Sequence, residues 1–187
     1  MIYLSKGVVC EGSTEQLLDV TRGAQVFHLT GTEAALWLNG RFGFAKAKTN
    51  KERSSLKHLH QMGLAEFENE DSDVARYRII SRCILCAADT KGLRIPLNGK
   101  RQTVMIWLQK AGLHLSAAEL IYLMETKIEP TTDLLYTDNR QALVELIYMN
   151  NPIQDNLLET QMEKASCRDE IVKVLLSLLK RKLIILL

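Results

Sequence analysis

The chain has 187 residues, 47% hydrophobic and 25% charged, the profile of a folded globular protein with room for one domain or two small ones. Its net charge of +2 is too small to argue for nucleic acid from the total, so a polyanion site has to come from local clustering. The opening MIYLSKGVVCEGS lacks the apolar core of a secretion signal. LLSLLKRKLIILL is interrupted by Lys180, Arg181 and Lys182, so no membrane span is expected, and the chain reads as cytoplasmic with four reduced cysteines.

In chain order, EQLLDV and AQVFHL around TRG predict a β-hairpin. Thr30 and Glu33 stand at capping-box spacing, and the helix they open runs through Leu36, Trp37 and Leu38 to Asn39-Gly40. RFGFAKAKT reads as one or two helical turns anchored by Phe42 and Phe44. Thr49 and Glu52 form a second box, and KERSSLKHLHQM predicts a helix that buries Leu56, Leu59 and Met62 and stops at Gly63. LAEF and ARYRIISRCILCA read as two strands around ENEDSD, a wing over residues 64–86. Strand, strand, helix, short helix, helix and hairpin is the order of a winged helix.

The second half reads as a variant of the first. LRIPLNGKRQTVMIWL predicts strands around Asn98-Gly99. HLSAAELIYLM, from His114, echoes HLTGTEAALWL, from His28, at an offset of 86 residues, with Ser116 and Glu119 as its capping box. DEIVKVLLSLLKRKLIILL matches ERSSLKHLHQMGLAEF at an offset of 119, so about 33 extra residues are expected between Glu125 and Asp169. They hold two helix-like stretches, NRQALVELIYM and IQDNLLETQMEKA, split by Asn151-Pro152. The uncharged LIILL end is expected to be a paired and buried strand, because exposed it would template aggregation.

The expected class is α+β: two duplicated winged-helix-like domains, residues 1–90 and 91–187, mostly helical with small hairpins and wings. The first 67 residues also resemble PqqD-like peptide-recognition modules. LLDVTRGAQVFHLTGTEAALWL matches their pattern of strand, turn, strand ending in Leu, and an Ala- and Trp-containing helix, with Asn39-Gly40 where that family has Asp-Gly. In that family a leader peptide adds as a strand to a sheet edge. The resemblance implies a peptide- or protein-binding adaptor that works by strand addition to the first hairpin, around Val26 to Leu29.

The basic segment is the main functional lead. Arg41, Lys46, Lys48, Lys51, Arg53 and Lys57 face only Glu52 between residues 41 and 60, a local net charge of +5. In a helix-turn-helix this stretch meets the major groove, with the cations on phosphates and Ser54, Ser55 and His58 as base readers. The expected function is a DNA-binding transcriptional regulator with double-stranded DNA as partner and a second domain for packing or homodimerisation. The same residues read as a plain solvated face are the bland alternative. Glu66, Glu68, Glu70, Asp71 and Asp73 form an acidic run without a cation, expected to turn away from phosphate or to meet the basic segment of a second subunit.

Other motifs read as architecture. Cys83-x-x-Cys86 has no second pair to complete a zinc site, so structural thiols, no metal and no cofactor are expected. His28 and His114 precede their helices as packing or capping residues, while His58 and His60 diverge on one helix. Lys180, Arg181 and Lys182 complement a helix C-terminus. No catalytic motif is present, and an enzyme is not expected.

Overall fold

The computed structural model describes residues 1–10, 12, 17–88, 96–97, 99–110, 115–131, 134, 139–149 and 155–187. The first half contains β1 (Ile2–Ser5), β2 (Val8–Val9), β3 (Leu18–Arg22), β4 (Gln25–Leu29), α1 (Gly31–Gly40), β5 (Ala45–Lys46), α2 (Asn50–Gln61), β6 (Ala65–Glu68), α3 (Asp73–Ser81) and β7 (Ile84–Ala87). Then follow α4 (Gly99–Lys110), β8 (Leu115–Ser116), α5 (Ala117–Glu125) and α6 (Asn139–Val144), which continues as a π-helical turn over Glu145–Met149. The chain closes with α7 (Asp155–Met162), α8 (Arg168–Lys180) and β9 (Ile184–Leu186). The class is α+β. Its antiparallel sheets have the orders β5-β1-β6, β2-β3-β4 and β8-β7-β9. No described helix is long and apolar enough to cross a membrane.

Two of the sheets are built alike. β1 pairs with β6 as Ser5↔Ala65, Leu4↔Glu66 and Tyr3↔Phe67. β7 pairs with β9 as Ala87↔Ile184, Cys86↔Ile185 and Leu85↔Leu186. One residue further on, Lys6 N donates to Leu64 O at 2.8 Å and Ala88 N to Leu183 O at 2.9 Å. The central strands are therefore 82 residues apart and the closing strands 119. The helix ends that lead into the closing strands match as well. Gly63 (φ +73) and Lys182 (φ +59) are both left-handed. Gly63 N donates to His60 O at 2.8 Å and Lys182 N to Leu179 O at 2.9 Å. Leu64 N then reaches Leu59 O at 2.8 Å and Leu183 N reaches Leu178 O at 3.0 Å, the paired bonds of a left-handed helix stop. The offset of 119 read from sequence is thus repeated bond for bond in the backbone.

The offset of 86 is not. Trp37 and Trp107 are both fully buried, and they precede the flanking strands β5 and β8 by the same interval, an offset of 70 residues. By position in the sheet, α1 corresponds to α4 rather than to α5. The first unit carries the β2-β3-β4 sheet between its central strand and α1. The second carries α5, α6 and α7 between β8 and α8, so its expansion, 49 residues between the offsets of 70 and 119, exceeds the 33 expected.

Three further expectations are corrected. The wing over residues 64–86 is absent: β6 pairs with β1, and ARYRIIS lies in the helix α3. Ser72 caps that helix by accepting from Ala75 N at 3.1 Å, and Asp73 adds a favourable charge to its first turn. The short helix after α1 is replaced by a turn and the two-residue strand β5. The hairpin around Asn98-Gly99 gives way to α4, whose buried Val104, Met105, Trp107 and Leu108 follow a helical stripe. Residues 91–95 and 98 lie outside the described residues, as do His114 and Asn151-Pro152. The hairpin of β3 and β4, the two helices of the expansion and the buried terminal strand are present.

The core has two parts, and β1 feeds both. Tyr3 packs with Leu18, Val20, Leu29, Trp37, Leu56 and Leu59. Ile2 and Leu4, on the other face of the strand, join a larger cluster with Tyr77, Ile79, Ile80 and the apolar residues of α4, α5, α8 and β9. Between them lies a buried ion pair: Lys6 Nζ donates to Glu66 Oε1 at 3.0 Å, with side-chain exposures of 3% and 10%.

Candidate nucleic-acid interface

The sequence of α2 explains both its start and its orientation. Glu52 N donates to Thr49 Oγ1 at 3.2 Å, and Glu52 Oε2 accepts from Thr49 N at 2.9 Å and Lys48 N at 2.7 Å. This is the expected capping box. The backbone donors at Thr49 and Lys48 hold the Glu52 carboxyl below its usual range. They also keep the one acid of the segment folded back on the helix start. Leu56 and Leu59, both at 0% exposure, turn the opposite face outward. Lys51, Arg53, Ser54, Lys57 and His58 are exposed, with Ser55 half-buried beside them.

The nine residues singled out from sequence do not all share this face. Lys48, Lys51, Arg53 and Lys57 make no ion pair among the described residues. Lys46 stands on β5 and pairs with Asp71 at 2.7 Å. His58 Nδ1 lies 2.7 Å from Glu33 Oε1, so its ring is tied to α1. Arg41 sits half-buried on two aromatic rings, 5.5 Å from Trp37 and 4.7 Å from Phe42, and desolvation lowers its pKa.

The first expected capping box does not form, and its Glu33 pairs with His58 instead. Thr30 makes no side-chain cap bond. Gly31, the first helical residue, has φ +54, so the chain enters α1 by a left-handed step instead of the ordinary first helical turn. Glu33 is then available to α2. His28 does not cap or pack either: it is a surface side chain, 68% exposed, with Nδ1 2.7 Å from Asp19 Oδ1.

The acidic run looks different once folded. Glu66 holds Lys6, Glu68 holds Arg82 at 2.9 Å, and Asp71 holds both Lys46 and Arg76. Asp73 lies 3.7 Å from Arg76. Most of these carboxylates are met within the chain by cations distant in sequence, one of them from the basic segment itself. They form neither a wing nor a bare acidic surface.

The two close cysteines face the interior. Cys83 Sγ donates to Ile79 O at 3.3 Å, burial pushes its thiol up to about 12, and burial raises the Cys86 thiol as well. Both are poor nucleophiles in this state.

One cluster escaped the sequence reading. Phe42 carries Arg41 on its ring and also Lys182 Nζ at 5.1 Å. The C-terminal basic triplet therefore lies against the start of the basic segment, 140 residues away in sequence. The available signal was the lysine at the place where the matching helix stop has Gly63. No family model, curated protein or solved structure matches this chain.

Proposed function

We propose that the chain is a DNA-binding protein, acting in transcription regulation, that lays the outer face of α2 against duplex DNA. The reading includes two reduced winged-helix-like units, each made of a three-stranded sheet and a closing helix. The observation that carries it is the set of four cations, Lys48, Lys51, Arg53 and Lys57, that make no ion pair among the described residues, with Glu52 as the acid near Lys48. Glu33 is engaged by His58 and Asp71 by Lys46 and Arg76, and Glu52 is folded back on the helix start. Unpaired cations on one helix and at its N-terminus suit phosphates, and Ser54 and Ser55 between them suit base edges. With His58 held by Glu33, base reading falls to the serines.

The test is binding of a labelled mixed-sequence duplex by fluorescence anisotropy across a salt series. Binding falls steeply with salt, and Lys51→Ala with Arg53→Ala lowers the log–log slope by about 0.9 for each phosphate contact removed. Binding that ignores salt, or no binding, overturns the reading.

One observation favours the adaptor reading. β4 pairs with β3 alone among the described strands, and Val26 on it is 52% exposed. An open edge with an apolar side chain can accept a peptide strand. That reading requires a peptide library to shift the backbone amides of Gln25–Leu29 in an NMR titration while duplex DNA leaves α2 untouched.

A further inference from the structure

We propose that the Arg41–Gly43 turn and the C-terminal end of α8 form a second, composite phosphate seat. It rests on the nucleic-acid reading and extends it to a surface that neither half makes alone.

The seat is built from two directions. From the first half, Arg41 stacks on Phe42 at 4.7 Å. From the second half, Lys182 brings its ammonium to the same ring at 5.1 Å. Lys180 packs beside the turn: a side chain built at Gly43 would come within 3.6 Å of Lys180 Cε. Lys173, Ser177, Lys180 and Arg181 line one open hollow along α8 with Leu176. None of Arg41, Lys173, Lys180, Arg181 and Lys182 makes an ion pair among the described residues. Lys173 feels Asp169 one turn away, but Arg41, Lys180, Arg181 and Lys182 carry like charge around one turn, and an external polyanion relieves their repulsion.

Two features go beyond ordinary helix-end chemistry. Cations near a helix C-terminus suit its dipole, which accounts for Lys180 and Arg181. The left-handed turn at Lys182 (φ +59) has a counterpart at Lys127 (φ +55), which closes α5, so the backbone alone marks no site; what helix-end chemistry leaves over is the seating of the Lys182 ammonium on Phe42. The matching turn in the first half uses Gly63, with the same two hydrogen bonds. The feature particular to this helix end is the ammonium on a ring that Arg41 also occupies. The second feature is Arg41, which loses solvation on burial and, among the described residues, is met by the ring faces of Trp37 and Phe42. Both residues point at the same ring.

The partner is a row of phosphates rather than a bilayer. The cations are spread along a helix face and a turn, as a phosphodiester backbone is. The exposed large apolar residues are Leu17, Val26, Ile84, Met149 and Leu157. Among the described residues none of these lines the seat, and its own apolar members, Phe42 and Leu176, are only half-exposed, so a membrane surface would find little to insert here.

The experiment uses the full chain and three variants, each checked for native circular dichroism. Lys182→Gly removes the ammonium and keeps the turn. Lys180→Glu with Arg181→Glu reverses the hollow. Lys51→Glu with Arg53→Glu reverses α2. The probes are a labelled duplex, a labelled single strand and phosphatidylserine–phosphatidylcholine vesicles. We expect Lys182→Gly to weaken duplex binding several-fold and to lower the salt slope by about one, with the α8 double variant weakening it by more than about tenfold. If the α8 variants bind as the wild type does while the α2 variant loses binding, the composite seat is overturned and the α2 reading stands. Loss in the α8 variants alone supports the seat and overturns the reading of α2. Binding to vesicles but to neither nucleic acid overturns both.

Discussion

Lys6 shows how much one side chain can hold. Its ammonium is 3% exposed, donates to Glu66 Oε1 at 3.0 Å and reaches Arg82 O at 3.4 Å, while its carbonyl accepts Trp37 Nε1 at 2.8 Å. A buried pair contributes little net stability over an apolar replacement, but breaking it strands a charge. Lys6→Met is therefore expected to cost about 3–5 kcal/mol. Adding Glu66→Leu should return most of that loss, as read by urea unfolding of the single and double variants. A double variant as unstable as Lys6→Met would show that the lysine acts through packing instead. Glu125 offers a test in acid. Its carboxylate accepts from Ser166 N at 3.3 Å, Ser166 Oγ at 2.9 Å and Cys167 N at 3.1 Å. The hydrogen bonds from Cys167 and Ser166 pull its pKa from 4.5 to about 2. A depressed carboxyl pKa stabilises the fold above the unfolded value, and that contribution fades as pH falls from 4.5 toward about 2. A carbon-detected titration should place the Glu125 midpoint near 2, and Glu125→Gln should flatten this part of the acid stability curve. An ordinary carboxyl midpoint would mean that Glu125 does not anchor the start of α8.

At the level of elements, three capping-box spacings behave in two ways, and this gives a direct comparison. Thr49 and Ser116 accept from the third helical amide, with Glu52 and Glu119 reaching back, whereas Thr30 makes no such bond. Thr49→Ala and Ser116→Ala should each cost about 1 kcal/mol and Thr30→Ala only a few tenths, measured by thermal or urea unfolding. Equal losses at all three would refute the difference in cap geometry. The pattern also shows which features were legible in the sequence. Local signals were good where one mechanism acted alone: the hairpin ending at Leu29, the helix burying Leu56 and Leu59, and the paired strand at Ile184–Leu186. They failed where two signals competed. Ile79 and Ile80 suggested a strand, but Ser72 and Asp73 start a helix that buries those residues in the larger cluster. Asn98-Gly99 suggested a hairpin, yet the glycine opens α4. The basic part of the proposed interface was legible because charge clusters locally on α2. The seat around Phe42 was hidden, since nothing local ties Arg41 to Lys182. What was visible was the register of 119 residues that sets Lys182 opposite Gly63.

On the scale of the whole molecule, the question is whether the regions around the two similarly built sheets behave separately. β1 answers through its alternation. Tyr3 enters the smaller cluster and donates its hydroxyl to Leu36 O at 2.9 Å, while Ile2 and Leu4 enter the larger one. Gly7 N donates to Leu186 O at 2.7 Å, tying the end of the first central strand to the last strand of the chain. α3 adds Tyr77, Ile79 and Ile80 to the larger cluster, and Arg78 holds Glu163 at 2.9 Å. Separating the units would bare these apolar side chains and break the buried Lys6–Glu66 pair, so partial unfolding is disfavoured on both counts. Each cluster holds one tryptophan, Trp37 in the smaller and Trp107 in the larger, and so each can be observed alone. Trp107→Phe leaves Trp37 as the reporter, and Trp37→Phe leaves Trp107. In either background, the single tryptophan and the far-ultraviolet circular dichroism should give one shared urea midpoint, the mark of a two-state transition. Leu4→Ala, which empties space in the larger cluster from a strand common to both, should destabilise by about 2–5 kcal/mol. That loss should appear equally at the reporter in the smaller cluster. If Leu4→Ala lowers the midpoint seen by Trp107 but leaves that seen by Trp37 in place, the units fold independently, and the composite seat around Phe42 would then depend on how they dock.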